Sequence, residues 1–312
     1  MTAPELLERL RPEAFAIAYR MLGSVSDAED LVQEGLLRLH RTLQSGETIE
    51  TPQAYLATVV TRLSIDHLRS ARVRRERYVG EWLPEPLLGA EEPDAEARVE
   101  LAESARMAFL VLLETLSPEQ RAVFLLRDVF GYSYADLAEM LGKSEAACRQ
   151  IAVRARAHVL EGRPRFEAPP ERQRDLVERF FAAIEKGDLA GLEGLLAEDV
   201  SLHGDGGGRA PALAEPQRGR EAVARMLLGW SRVGARAGGY RIDRTTVNHQ
   251  PGALIRSADG GVLAVWAIDV SEGRIVAVRS VVNPDKLRHV PGAAVFGAWL
   301  RASAERGRGP SE

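Results

Sequence analysis

The segment Ser133–Val159 constrains this chain more than any other. Ser133 and Tyr134 open a short predicted helix whose Leu137, Ala138 and Leu141 share one face. Gly142-Lys143 makes a turn, and Ser144 is placed to cap a second helix from Glu145 onward. On that helix Cys148, Ile151, Ala155 and Val159 recur at steps of three, four and four, an inward stripe. Arg149, Gln150, Val153, Arg154 and Arg156 fall on the other side. A packed back with an Arg/Gln front suits the major groove, where both side chains pair bidentately with base edges. Any amphipathic helix shows such residues to water, so the surroundings decide. Cys148 belongs to the stripe and reads as a small buried hydrophobe, and His158 as structural.

At 312 residues the chain exceeds one small core and suits two or three domains. No apolar run approaches the ~20 residues that span a bilayer. Met1–Glu5 lacks the basic start of a secretion signal. A single cysteine excludes an intrachain disulfide framework and a Cys-rich zinc site. These features predict a cytoplasmic protein without metal or cofactor. The net charge of −4 conceals a strong asymmetry. Six arginines between Arg62 and Tyr78 oppose only Asp66 and Glu76, whereas eight acids between Glu81 and Glu103 oppose only Arg98. The basic run suits nucleic acid despite the acidic total.

Residues 5–75 read as helices, with a cap at Ser26-Asp27, a stripe of Val32, Leu36, Leu39 and Leu43, and a helix start at Thr51-Pro52. The Pro-, Gly- and acid-rich stretch that follows reads as a linker rather than a core element. Helical periodicity resumes near Glu100 and runs to about Leu160. Prolines at 164, 169 and 170 mark a second boundary. Beyond it come helices (Leu176, Phe180 and Ile184, then Leu189–Leu196), a Gly-rich stretch and a helix near Glu221–Leu228. Strands are predicted over Tyr240–Val247, Ala253–Ser257, Val262–Val270 and Arg274–Val282, with turns at Asp259–Gly261 and Ser271–Gly273. Helices followed by an antiparallel sheet predict an α+β domain.

Several strings carry a family resemblance. Asp27–Glu34 (DAEDLVQE), Tyr55-Leu56 and Ile65–Arg69 (IDHLR) resemble sigma region 2. Leu116–Arg121 (LSPEQR), Gly131–Ala138 (GYSYADLA) and Ala147–Arg156 (ACRQIAVRAR) resemble sigma region 4. Their order, covering about the first half of the chain, is similar to extracytoplasmic-function (ECF) sigma factors. Trp82–Pro86 (WLPEP), Asp205–Arg209 (DGGGR) and Asn283–Leu287 (NPDKL) look like marks of the ECF group with a SnoaL-like, nuclear-transport-factor-two-like C-terminal extension. That glycine motif usually ends in Lys; here it ends in Arg209.

The resemblance implies two all-α sigma domains followed by an α+β cone. The limits are 1–78 (region 2), 79–99 (acidic linker), 100–165 (region 4), 171–290 (SnoaL-like regulatory domain) and 291–312 (a partly disordered tail). It implies that Asp30, Gln33 and Glu34, off the apolar stripe, meet core RNA polymerase. It implies that Arg62, Asp66, Arg69 and the basic run Arg72, Arg74 and Arg75 serve the opened −10 element. Ser144, Arg149 and Gln150 would serve the −35 element, with Arg154 and Arg156 on phosphates. Trp82, Asp205, Arg209, Asn283, Asp285 and Lys286 would regulate. The linker reads as a DNA mimic, a strand near the RNA exit path, or a solubilising spacer; Trp82 favours docking. A cone of this kind can take an unidentified small apolar ligand. Catalysis would need an acid–base pair, for which the candidates are His203, Asp205 and Asp269, with Trp266 as a wall. None forms a convincing pair: His203 beside Gly204 reads equally as a surface residue, and Asp269 beside a turn as a solvated one. Two other functions compete: a ligand-sensing helix-turn-helix regulator acting alone, and a SnoaL-like cyclase or isomerase. Neither accounts for the 27–34 and 55–77 segments.

Overall fold

Side-chain caps fix most helix starts in the N-terminal half. The computed structural model describes residues 2–75, 78–89, 102–162 and 170–307, and they form two compact units. The first contains α1 (Ala3–Leu22), α2 (Val25–Gln44) and α3 (Pro52–Arg75). Thr2 and Glu5 close a capping box on α1, and Gly23, at φ 64°, ends it in the left-handed conformation. That ending leaves Ser24, rather than the predicted Ser26-Asp27 pair, as the cap of α2: its Oγ accepts the Asp27 N–H at 3.1 Å. Val32, Leu36 and Leu39 are buried as their spacing predicts. A Cβ on Gly35 would lie 2.9 Å from Val60 Cγ2, so glycine lets α2 and α3 cross closely.

The same unit continues through α4 (Met107–Leu113, entered from the second unit), α5 (Pro118–Phe124), α6 (Tyr134–Leu141) and α7 (Glu145–Gly162). Ser117–Gln120 and Ser133–Asp136 form capping boxes on α5 and α6. Gly142, at φ 63°, turns the chain, and Ser144 Oγ accepts the Ala147 N–H at 3.2 Å. Cys148, Ala152, Ala155 and Val159 are buried, while Ile151 is only partly covered.

The second unit holds α8 (Pro170–Lys186), α9 (Leu189–Leu195), α10 (Arg220–Arg236), α11 (Phe296–Gly307) and one six-stranded sheet. Its strands are β1 (Leu196–Asp205), β2 (Gln217–Arg218), β3 (Tyr240–Val247), β4 (Gln250–Ser257), β5 (Val262–Ser271) and β6 (Arg274–Val281), in the order β2-β1-β6-β5-β4-β3. Only the β1–β6 pairing is parallel. Phe180, Phe181, Ile184 and Leu227 pack with Trp266 and Ile268 in one core. Every residue of β5 but the last is buried, so both faces of the sheet are covered.

Two expectations change here. The segment 78–89 is no spacer: it belongs to the second unit, and Leu83 is completely buried. The stretch read as a tail carries α11, because Phe296, Trp299 and Leu300 give it an apolar face. Residues 90–101 and 308–312, including much of the acidic linker, lie outside the described residues.

Candidate nucleic-acid interface and linker latch

The predicted reading face of α7 is open. Arg149, Gln150, Val153 and Arg154 are exposed on it. Arg149 bonds Glu145 at 2.6 Å and lies 5.1 Å over the Tyr134 ring, so its fork is held near α6. Arg156 differs: it bonds Asp128 through Nε at 3.0 Å and Nη2 at 2.6 Å, which raises its already high pKa. On α2, Asp30 and Gln33 are exposed, and Glu34 bonds Arg38 at 2.7 Å. Leu37, 42% exposed, follows at the helical spacing that places it beside them.

Two α3 arginines, Arg62 and Arg69, are engaged within their own unit. Arg62 donates to the carbonyls of Met140 at 2.7 Å and Glu139 at 3.1 Å, at the C-terminal end of α6 where unpaired carbonyls collect. Arg69 reaches Glu119 at 2.9 Å and Asp66 at 3.4 Å. Arg72, Arg74 and Arg75 occupy the last turn of α3, with side chains outside the described structure.

In the second unit three distant segments converge. Asp205, completely buried at the end of β1, accepts Tyr78 Oη at 2.5 Å, the Leu83 N–H at 2.7 Å and Lys286 Nζ at 2.6 Å. Lys286 also bonds the Leu83 carbonyl and sits 4.2 Å over the Trp82 ring. Asn283 Nδ2 donates to Tyr78 Oη at 2.8 Å. Burial, then the adjacent Asp205 charge, pushes the Tyr78 phenol far above its ordinary pKa. The glycines have a steric reason. Gly207 takes φ 56°, and a Cβ there would lie 2.2 Å from Asn283 Nδ2. A Cβ on Gly208, at φ 70°, would press on Val79. Arg209, mostly exposed, meets Asp285 at 3.2 Å.

The chain matches three family models: Sigma-70 region 2 over residues 6–74, Sigma-70 region 4 over 106–159 and a SnoaL-like domain over 177–296. It is 42% identical to the ECF RNA polymerase sigma factor SigJ of Mycobacterium tuberculosis, over 91% of this chain and 93% of that protein. The chain belongs to the ECF RNA polymerase sigma factors. Another relative, the probable ECF RNA polymerase sigma factor SigI of M. tuberculosis, is 31% identical over 87% of this chain and 90% of its own. The crystal structure of M. tuberculosis SigJ superposes with a TM-score of 0.74 at 37% identity, covering 93% of this chain and 99% of that one. Promoter-directed initiation of transcription is thus the work of the helical half, and the fused C-terminal domain is SnoaL-like.

The structure brings Trp82, Asp205, Asn283 and Lys286 of the sigma factor into one cluster, with Arg209 and Asp285 at its edge. Sequence reasoning missed Tyr78 and Leu83, which bond Asp205 directly; a lone tyrosine after a basic run carries no local signal of that. The candidate acids and bases separate from the cone interior. Asp269 is not solvated but 2% exposed, paired with Arg279 and accepting Gln250 Nε2 at 2.9 Å. His203 is no free surface residue: it bonds Glu81 at 2.7 Å and Ser201 at 2.8 Å. Neither they nor Asp205 line the cone cavity, whereas Trp266 does. Among the described residues no helix is long and apolar enough to cross a membrane.

Proposed function

We propose that this sigma factor binds core RNA polymerase through the Asp30, Gln33 and Leu37 face of α2 and reads promoters through α7 and α3. The linker between its two sigma domains is held in check by the C-terminal domain. The domain limits that serve this reading are 1–78, 79–99, 100–165 and 171–290. The carrying observation is the docking of Tyr78–Leu83, the start of that linker, onto the buried Asp205–Lys286 pair. A linker held there cannot follow a path through polymerase, so the pair acts as a latch. Arg149 and Gln150 serve −35 base edges, with Ser144 holding the helix start. Arg62 and Arg69 serve −10 phosphates once they leave Glu139, Met140 and Glu119.

We read the domain as regulatory rather than catalytic: among the described residues that line its cavity there is no carboxylate, imidazole or cationic side chain. Work on polymerase and promoter DNA places the protein in the cytoplasm. Run-off transcription with core polymerase tests the reading. Asp205→Ala is expected to raise output several-fold at limiting core enzyme. Unchanged output at every promoter would overturn the latch.

A further inference from the structure

Arg149, assigned above to −35 base edges, is held by more than its own helix. After α5 the chain runs on through Leu125–Val129 as a widened helical turn, in which the Phe130 N–H reaches the Leu125 carbonyl, five residues back, at 3.0 Å. Turns of this width are rare and recur at functional sites. Two of its side chains, those of Arg127 and Asp128, reach the helix pair α6–α7. Asp128 takes the Arg156 fork. Arg127 donates to the Tyr132 carbonyl at 2.9 Å, and its guanidinium lies 5.0 Å over the ring of Tyr134. The Arg149 guanidinium lies 5.1 Å over the same ring. One half-buried tyrosine thus carries two cations, one from the turn before α6 and one from α7.

Tyr134 is the first residue of α6, and the Ser133–Asp136 capping box fixes where its ring stands. A guanidinium that rests on a ring gives up its face and keeps its N–H groups, which point outward in its own plane. Those in-plane donors are the ones that pair with O6 and N7 of guanine. Glu145 takes one of them, at Nη2. The ring and Glu145 together restrict a long side chain in the free protein while leaving donors for a base. Freedom already given up before DNA arrives is not lost again on binding. An aliphatic side chain at 134 would fill the same space without the electron-rich face.

We propose that Tyr134, backed by Arg127, is a positioning residue whose ring holds the Arg149 guanidinium ready for a guanine of the −35 element. This rests on the reading of Arg149 as a base contact.

The test compares Tyr134→Leu, Tyr134→Phe and Arg149→Ala in holoenzyme assembled from the full-length protein. Competition binding sets the cognate promoter against each single-base change of its −35 element. Tyr134→Leu should lower discrimination about two- to fivefold at one base pair, the one at which Arg149→Ala acts. Its affinity for DNA without promoter elements should match that of the wild type. Tyr134→Phe keeps the ring and should keep the discrimination. In the Arg149→Ala background, Tyr134→Leu should add nothing at that base pair. Should the leucine variant fail to fold, Tyr134→Met takes its place. Unchanged or increased discrimination in the leucine variant overturns the proposal. So does an equal loss in the phenylalanine variant, or a loss spread over every position and over unrelated DNA. Arg149→Ala without effect at any base pair overturns the underlying reading as well, whereas a local effect of Arg149→Ala with none of Tyr134→Leu overturns the positioning role alone.

Discussion

The two units use charge in opposite ways. In the helical unit the arginine proposed to read bases stands in water: Arg149 keeps 56% of its side-chain surface exposed, and its bond to Glu145 is local. In the C-terminal unit two ion pairs are sealed: Lys286 at 8% with Asp205 at 0%, and Arg279 at 11% with Asp269 at 2%. An exposed arginine contributes little to folding and is available to phosphate or base edges. A buried pair does little for net stability over a packed apolar one, yet breaking it strands a charge. Under the proposed function the helical unit offers Arg149 to a partner, whereas the C-terminal unit uses the Asp205–Lys286 pair to fix one segment, 78–83, in one place.

The sharpest test of that contrast removes one sealed charge. Lys286→Met leaves Asp205 buried without its cation and should cost ~3–5 kcal/mol in denaturant unfolding. Adding Asp205→Asn should return much of that loss, because no stranded charge remains. If Lys286→Met unfolds like wild type, the two units do not differ as described.

Arg149→Ala should show the reverse profile. Unfolding should shift by no more than about 0.5 kcal/mol, as for an exposed substitution. Discrimination between the cognate −35 element and a single-base variant should fall by ~1–3 kcal/mol in competition binding by the holoenzyme. Loss of stability without loss of discrimination would reverse the roles assigned to the two units.

Acid–base titration sharpens the latch further. The Tyr78 phenol is held well above its ordinary value of about 10, first by burial and then by Asp205. Above pH 10 the unfolded chain loses this proton while the folded protein retains it. The folded state then binds more protons, and stability falls as pH rises. Below pH 10 the contribution is fully present. Tyr78→Phe should cost about 1–2 kcal/mol at neutral pH and flatten the decline above pH 10 in thermal unfolding. An identical alkaline decline in the variant would refute the assignment.

Local chemistry made the helical half legible. Ser133 and Ser144 announce helix starts, and the stripe of Cys148, Ala155 and Val159 gives the buried side of α7. Strand β1 was not read because the exposed Glu198 and Asp199 interrupt its alternation, where its pairing with β6 shifts register. The docking of 78–89 was hidden for another reason: glycine and proline punctuate a spacer and a tightly laid extended segment alike. Trp82 hinted at it, but the partner Lys286 lies some two hundred residues away. The motif strings marked Asp205 and Lys286 without revealing that they pair.

Arg154 and Arg156 carry the smallest expected effects and test the contrast within a single helix. The family resemblance implies that both meet phosphates, but the structure gives Arg156 a forked partner in Asp128 and leaves Arg154 exposed. In the Arg156–Asp128 pair the two side chains are 40% and 25% exposed, so water screens it and its loss should cost only ~0.2–1 kcal/mol. An arginine that stays bound to its carboxylate neutralises no phosphate, so it displaces none of the cations condensed on the DNA. Arg154→Ala should therefore lower the slope of log affinity against log salt by about one, and Arg156→Ala should leave it unchanged. Equal slopes for the two variants would mean that Arg156 exchanges Asp128 for a phosphate on the promoter, and the division between charges held for the fold and charges held for DNA would then run through one residue instead of between two.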